Sequence, residues 1–223
     1  MNLTPTAVSW DMLKMNPFAS GESLQIKENN LRFRYLSEDE IEKLLPELKP
    51  HLRDIVECAL NSGMRRGEIL SLKWSQIRND HIYLQKTKSK KPRQIPINND
   101  LAVLFKQIRQ RQHLTSQYVF TRQGNYIKHV KSGFNAALRR AGIENFRFHD
   151  LRHTFASHFI MRGGDLKSLQ EMLGHSNITT TMRYAHLSQA HKKEAVNLLN
   201  GLTGKNGSSQ MVSNSPISLS AKR

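Results

Sequence analysis

The sequence holds one cysteine, Cys58, among 223 residues, so no intramolecular disulfide can form and no cysteine cluster is available for a structural zinc. A reducing compartment is the simplest setting. Its apolar runs fall far short of the roughly 18 residues that suggest a membrane span. The opening Met1-Asn2-Leu3-Thr4-Pro5 also lacks the basic-then-apolar order of a secretory signal. These absences point to the cytoplasm and to no membrane partner. Acidic residues are scarce: 18 Asp and Glu against 34 Lys and Arg leave a formal charge of +16. Such a surplus suits polyanions, because each cation set near a phosphate releases condensed counterions. Charge alone would fit a ribosomal protein or a binder of anionic membranes equally well, so the motifs have to discriminate.

With only 12 glycines, 7 prolines and 38% hydrophobic residues, the chain has the composition of a globular protein. The first strong helix signal is Ser37-Glu38-Asp39-Glu40, a capping box followed by Ile41, Leu44, Leu45 and Leu48, which predicts a helix over about 38–49. Leu52, Ile55, Val56, Ala59 and Leu60 predict a second, stopped at Asn61-Ser62-Gly63, and Arg66 to Lys73 a third. The period then falls from 3.6 to 2. His81 to Gln85 and Arg93 to Ile97 read as two strands joined by a basic segment, and Tyr118-Val119-Phe120 as a further short strand. Helices are expected again over about 100–111, 129–141, 149–162, 165–173, 177–185 and 188–200, and a disordered tail from about 203. The fold class is α+β, mostly α-helical, with a small antiparallel β-sheet.

Several polar residues stand out by local context: Arg65 after Ser62-Gly63-Met64, Lys88 in the hairpin, His149 and Arg152 in His149-Asp150-Leu151-Arg152-His153, His175 after Leu173-Gly174, and Tyr184. This set meets what exchange of a phosphodiester without metal needs. Arginines must neutralise the pentavalent phosphorane, since a guanidinium can donate twice to one phosphate. An acid must protonate the leaving oxygen, and a nucleophile must be held in line with it. His149 and His153 also have the i, i+4 spacing that binds zinc elsewhere, but Asp150-Leu151-Arg152 between them breaks the His-Glu-x-x-His pattern and sets a cation against the metal. His153 and His158 are read instead as packing or bridging residues, and His186 as either.

The ordered series Ser62-Gly63-Met64-Arg65-Arg66-Gly67-Glu68, Thr87-Lys88 through Pro96, His149-Asp150-Leu151-Arg152-His153, Leu173-Gly174-His175 and Met182-Arg183-Tyr184-Ala185-His186 resembles the catalytic domain of the tyrosine site-specific recombinases, the phage integrase family. The resemblance covers about residues 34 to 200. It implies that Tyr184 attacks the scissile phosphate to give a 3′-phosphotyrosine, that Arg65 and Arg152 clamp the non-bridging oxygens, and that His149 is the acid/base partner of the tyrosine. It likewise implies that His175 donates a further hydrogen bond to the phosphate and that Lys88 is the general acid, with Lys86 and Lys90 as neighbouring candidates. Glu68 is expected to buttress an arginine. No cofactor is expected. The implied partner is double-stranded DNA, and the implied assembly a homotetramer on paired DNA sites.

The family usually carries a helical core-binding domain of about 80 to 100 residues ahead of this region. Residues 1–33 are therefore expected to be a linker and the remnant of that domain, 34–202 the catalytic domain and 203–223 a disordered tail, the chain being a fragment. The function expected is a recombinase that integrates or excises a phage or other mobile element. A dimer resolvase of the same chemistry, and a silent DNA-binding relic, stand as alternatives.

Overall fold

The computed structural model describes residues 9–12, 33–85, 92–112, 116–188, 196–197 and 199–200. The chain divides into two units, Met1–Phe33 and Arg34–Arg223, and every element of the site lies in the second. Helix α1 (Glu38–Leu44) begins as the capping box predicts: the Ser37 hydroxyl accepts from the Glu40 amide at 3.2 Å, and the Glu40 carboxylate accepts from the Ser37 amide at 3.0 Å. It is shorter than expected. Pro46 turns the chain into a 3₁₀ segment, Leu45–Glu47, because proline cannot continue the α-helical ladder.

Helix α2 (Pro50–Ser62) starts on a proline and ends at Gly63 in the left-handed conformation, and its buried stripe of Leu52, Ile55, Val56 and Ala59 forms the centre of the core. Helix α3 (Arg66–Leu70) is five residues long and stops before Lys73. A three-stranded antiparallel sheet follows, in the order β1 (Ile77–Arg78), β2 (His81–Leu84), β3 (Arg93–Pro96). The β2–β3 pairing is the predicted hairpin, with Ile82 opposite Ile95 and both buried. Its predicted basic tip, including Lys86, Lys88 and Lys90, lies outside the described residues.

Strand β1 is an addition to the predicted hairpin. It joins β2 through Asn79 and Asp80, both at positive φ, as a tight turn between right-twisted strands requires. Helix α4 (Asn99–Arg111) is capped by the Asn98 side chain and buries Leu101, Leu104, Phe105 and Ile108. The strand expected at Tyr118-Val119-Phe120 is instead an isolated bridge between Lys73 and Tyr118, while a two-stranded ribbon, β4 (Thr121–Arg122) and β5 (Asn125–Tyr126), forms just beyond it.

Helix α5 (Lys131–Arg140) supplies Phe134 to the core, and α6 (Asp150–Met161) packs along α2. Leu36 ties the chain ahead of α1 to α6: its amide donates to the Thr154 hydroxyl at 3.1 Å, and its carbonyl lies 2.8 Å from His158 Nε2. Helix α7 (Leu166–Leu173) is capped by Asp165 and ends at Gly174. The helix ahead of Tyr184 is brief. Only Thr179–Met182 (α8) is α-helical where 177–185 was expected, followed by a 3₁₀ turn at Ala185–Ser188. Three consecutive β-branched threonines disfavour a longer helix there. The tail from 203 lies outside the described residues, as does most of the expected helix at 188–200.

Candidate active site

The α2–α3 corner, the N-terminal half of α6, the end of α7 and the turn after α8 meet around Arg152. Its side chain is almost wholly buried, with the residue 5% exposed, and its guanidinium donates to the carbonyls of Gly63 (2.8 Å) and Leu173. Both acceptors are freed by helix ends. Gly63 closes α2 and Leu173 is the last residue of α7, so helix termination supplies the carbonyls that hold the cation. Gly63 has no room for a side chain: an added Cβ would lie 2.4 Å from the Phe155 ring. Burial, followed by the charges of Arg65 and Arg93, presses the Arg152 pKa down to about 9, which leaves it charged at neutral pH.

Arg65 precedes α3. Its amide donates to Glu68 Oε2 at 2.8 Å and its Nη1 to Glu68 Oε1 at 3.2 Å, so Glu68 both caps the short helix and holds the arginine. The same carboxylate receives the fork of Arg93 from β3, Nη1 on Oε1 at 3.0 Å and Nη2 on Oε2 at 2.7 Å. Burial opposes the charge of Glu68, but the hydrogen bonds and charge of Arg93, with help from Arg65, hold its carboxyl below the ordinary range.

Tyr184 lies in the turn between α8 and the final 3₁₀ segment and is 1% exposed. Its hydroxyl is 2.5 Å from His153 Nδ1. Burial raises the tyrosine to about 12, against the pull of Arg183 and Arg152, so the resting hydroxyl is protonated. His153 is lowered to about 4 by burial and then by His149, and is neutral at pH 7. His149 stands at the solvent-facing start of α6, edge-on to His153 with ring centroids 5.5 Å apart. Desolvation and then the charge of Arg152 hold His149 below the ordinary value. The imidazole facing the Tyr184 hydroxyl is thus that of His153, read from sequence as a packing residue, and not that of His149. The signal was present in the one-turn spacing of His149 and His153, but choosing between them requires the position of Tyr184.

His175 follows Gly174, with its Nδ1 2.9 Å from the Thr181 hydroxyl; burial and then Arg152 and Arg65 lower it to about 4. Arg65, His149, Arg152, His175 and Tyr184 are therefore neighbours. Arg152 acts electrostatically on all three of His149, His175 and Tyr184, and Arg65 on His149, Arg152 and His175. Arg183 adds a further cation, and its Nε is buried with no hydrogen-bond partner among the described residues. A cleft lined by Arg93, Lys167, Gln170 and His175 adjoins the group. Lys88 lies outside the described residues. Among those residues, no group of three or more His, Cys, Asp or Glu is arranged to hold a metal ion.

This arrangement concentrates cations and neutral imidazoles around a tyrosine hydroxyl, which fits a phosphate that becomes more negative during reaction. Residues 34–191 match the phage integrase family. The integrase of Salmonella phage P22 is 34% identical over 212 residues, covering 87% of this chain and 53% of that protein. The XerA tyrosine recombinase of Pyrococcus furiosus is 36% identical over 183 residues, covering 76% of this chain and 64% of that protein. The chain spans about half the length of the phage relatives it matches. The solved catalytic domain of bacteriophage HP1 integrase has the same fold, with a TM-score of 0.61 and 35% identity, covering 78% of this chain and 99% of that one. Since the family match over residues 34–191 takes in the α2–α3 corner, the sheet, α6, α7 and the tyrosine turn together, the chain belongs to the phage integrase family.

Proposed function

We propose that the chain is the catalytic part of a site-specific DNA recombinase, with Tyr184 as its nucleophile. The observation that carries this reading is the Tyr184 hydroxyl beside a neutral imidazole and within electrostatic reach of Arg152 and Arg183. The Tyr184 oxygen forms a bond to the scissile phosphorus as the bond from phosphorus to the 5′-oxygen breaks, leaving a 3′-phosphotyrosine and a 5′-hydroxyl. The tyrosine proton leaves during attack, since a hydroxyl held near 12 does not ionise beforehand.

Arg65 and Arg152 take the two non-bridging oxygens and His175 donates a further hydrogen bond; the tyrosine proton passes to His153, the imidazole at its hydroxyl, with His149 beside it as the acid/base group the family resemblance implies. A hairpin lysine, Lys88 or its neighbours Lys86 and Lys90, protonates the leaving oxygen. The phosphotyrosine ester conserves the energy of the bond it replaces, so a second 5′-hydroxyl can reseal it without ATP. Arginines provide the charge that a metal would supply in other phosphoryl-transfer sites. Attack also requires the Tyr184 hydroxyl, on a residue 1% exposed, to be uncovered to the phosphate.

The similarity to phage integrases favours integration or excision of a mobile element over dimer resolution. We place the protein in the cytoplasm on double-stranded DNA, acting as a homotetramer on paired sites, with 34–202 as the catalytic domain. The test is relaxation of supercoiled plasmid in EDTA, with covalent adducts trapped by detergent. Wild-type protein should relax DNA and form an adduct, and Tyr184→Phe should bind DNA but do neither. An adduct in the variant would assign the attack to another residue. DNA binding with no wild-type adduct would favour the silent relic.

A further inference from the structure

Arg93 is a buried cation in surroundings that are already positive. Its side chain is 6% exposed, and its charge acts on both Arg152 and His175. It is held at three points: the fork closes on both oxygens of Glu68, Nε donates to the Met172 carbonyl at 2.9 Å, and the aliphatic stem fills the space over Gly174. An arginine serving only to join β3 to α7 would need no shared acid. Here one carboxylate serves two guanidinium groups, and the division is unequal. Arg93 makes two contacts of 2.7 and 3.0 Å, whereas the Arg65 side chain makes one of 3.2 Å and stays 26% exposed.

The group Arg65, Glu68 and Arg93 therefore carries a net charge of +1. With Arg93 absent, Glu68 would be free to close a bidentate pair on Arg65, neutralising it and turning its donors away from an incoming anion. We propose that Arg93 is a positioning residue: by occupying Glu68 it leaves Arg65 charged and open to the scissile phosphate. The inference rests on the assignment of Arg65 as a phosphate ligand.

The test uses Arg93→Met, which keeps the stem and removes the charge, alone and combined with Glu68→Gln. Two readouts are taken: the rate of phosphotyrosine formation on a nicked DNA substrate, and the affinity of the protein alone for inorganic phosphate. Arg93→Met should slow cleavage and weaken phosphate binding on the order of thirtyfold, as expected for one uncompensated charge at this range. DNA affinity should stay within about threefold, so that the loss falls on the chemical step. Adding Glu68→Gln, which removes the competing carboxylate, should restore most of both losses. Arg93→Lys, which keeps the charge beside Glu68 but not the bidentate fork, should lose far less than Arg93→Met, within about fivefold in both readouts, and carries the test if Arg93→Met does not fold.

A double variant no better than Arg93→Met, or an Arg93→Lys loss greater than tenfold, would overturn the inference, because Arg93 would then act through the fold alone. A wild-type protein that forms no adduct but binds phosphate in this Arg93-dependent way would refute the strand-exchange reading and leave the role of Arg93 standing.

Discussion

The hydroxyl of Tyr184 and Nδ1 of His153 lie 2.5 Å apart in the interior, on segments 31 residues apart in sequence. A buried hydroxyl left without this partner loses a hydrogen bond and keeps its desolvation penalty, which together cost about 1–3 kcal/mol. His153→Phe should therefore lower the unfolding free energy by about that amount. Tyr184→Phe in the same background should cost less than it does alone, since the hydrogen bond the two side chains share is already lost. Urea denaturation of both single variants and the double gives the coupling energy, and strictly additive losses would show that the pair contributes nothing jointly.

Arg152 reaches two backbone carbonyls that only a planar fork can satisfy at once. Arg152→Lys should slow adduct formation severely while DNA still shifts in a gel, because an ammonium cannot span both acceptors and also face phosphate. The loss of transition-state stabilisation should be on the order of 3 kcal/mol or more, measured as the single-turnover cleavage rate. A lysine variant cleaving at near wild-type rate would remove Arg152 from the clamp.

Acid should destabilise the fold well before the carboxylates titrate. His153 and His175 are held near 4, below the ordinary histidine value of about 6.5, so the unfolded chain binds more protons than the folded one between those limits. Stability should thus be insensitive to these two groups above pH 6.5 and decline steadily as the pH falls from 6.5 toward 4. Thermal melts at pH 7.5 and pH 5 should separate clearly, and His175→Gln should narrow the gap. An equal melting temperature at the two pH values would contradict the buried, neutral state of both rings.

What was legible in the sequence was what local chemistry decides. The Ser37 and Glu40 capping box, the stop at Gly63 and the alternation of Ile82 and Ile95 each depend on neighbours within a few residues, and each forms as expected. Strand β1 leaves no mark in the sequence because two residues are too few to display alternation, and its turn uses Asn79 and Asp80 without glycine. The expected strand at Tyr118 fails for the opposite reason: its aromatic and β-branched run buries Val119 and Phe120 in a loop held by a single bridge. At the site, Arg65, His149, Arg152, His175 and Tyr184 were visible as motif members. The placing of His153 against Tyr184, and of Arg93 on Glu68, joins distant segments, so only the folded chain reveals it.

Gly174 separates backbone strain from packing against Arg93. It closes α7 at φ +66°, where a side chain is disfavoured, and an added Cβ would lie 2.8 Å from Arg93 Cδ. Gly142, after α5, has a similar φ of +67° but nothing within 4 Å of an added Cβ. Gly142→Ala should therefore cost only the left-handed penalty, about 1 kcal/mol. Gly174→Ala should cost that plus the displacement of a buried arginine, roughly 2–4 kcal/mol in total. It should also slow adduct formation, since moving Arg93 disturbs Glu68 and through it Arg65, whereas Gly142→Ala should leave the rate unchanged. Equal stability losses in the two variants, with cleavage unaffected in both, would show that Arg93 yields freely and that the end of α7 is not coupled to the arginine pair.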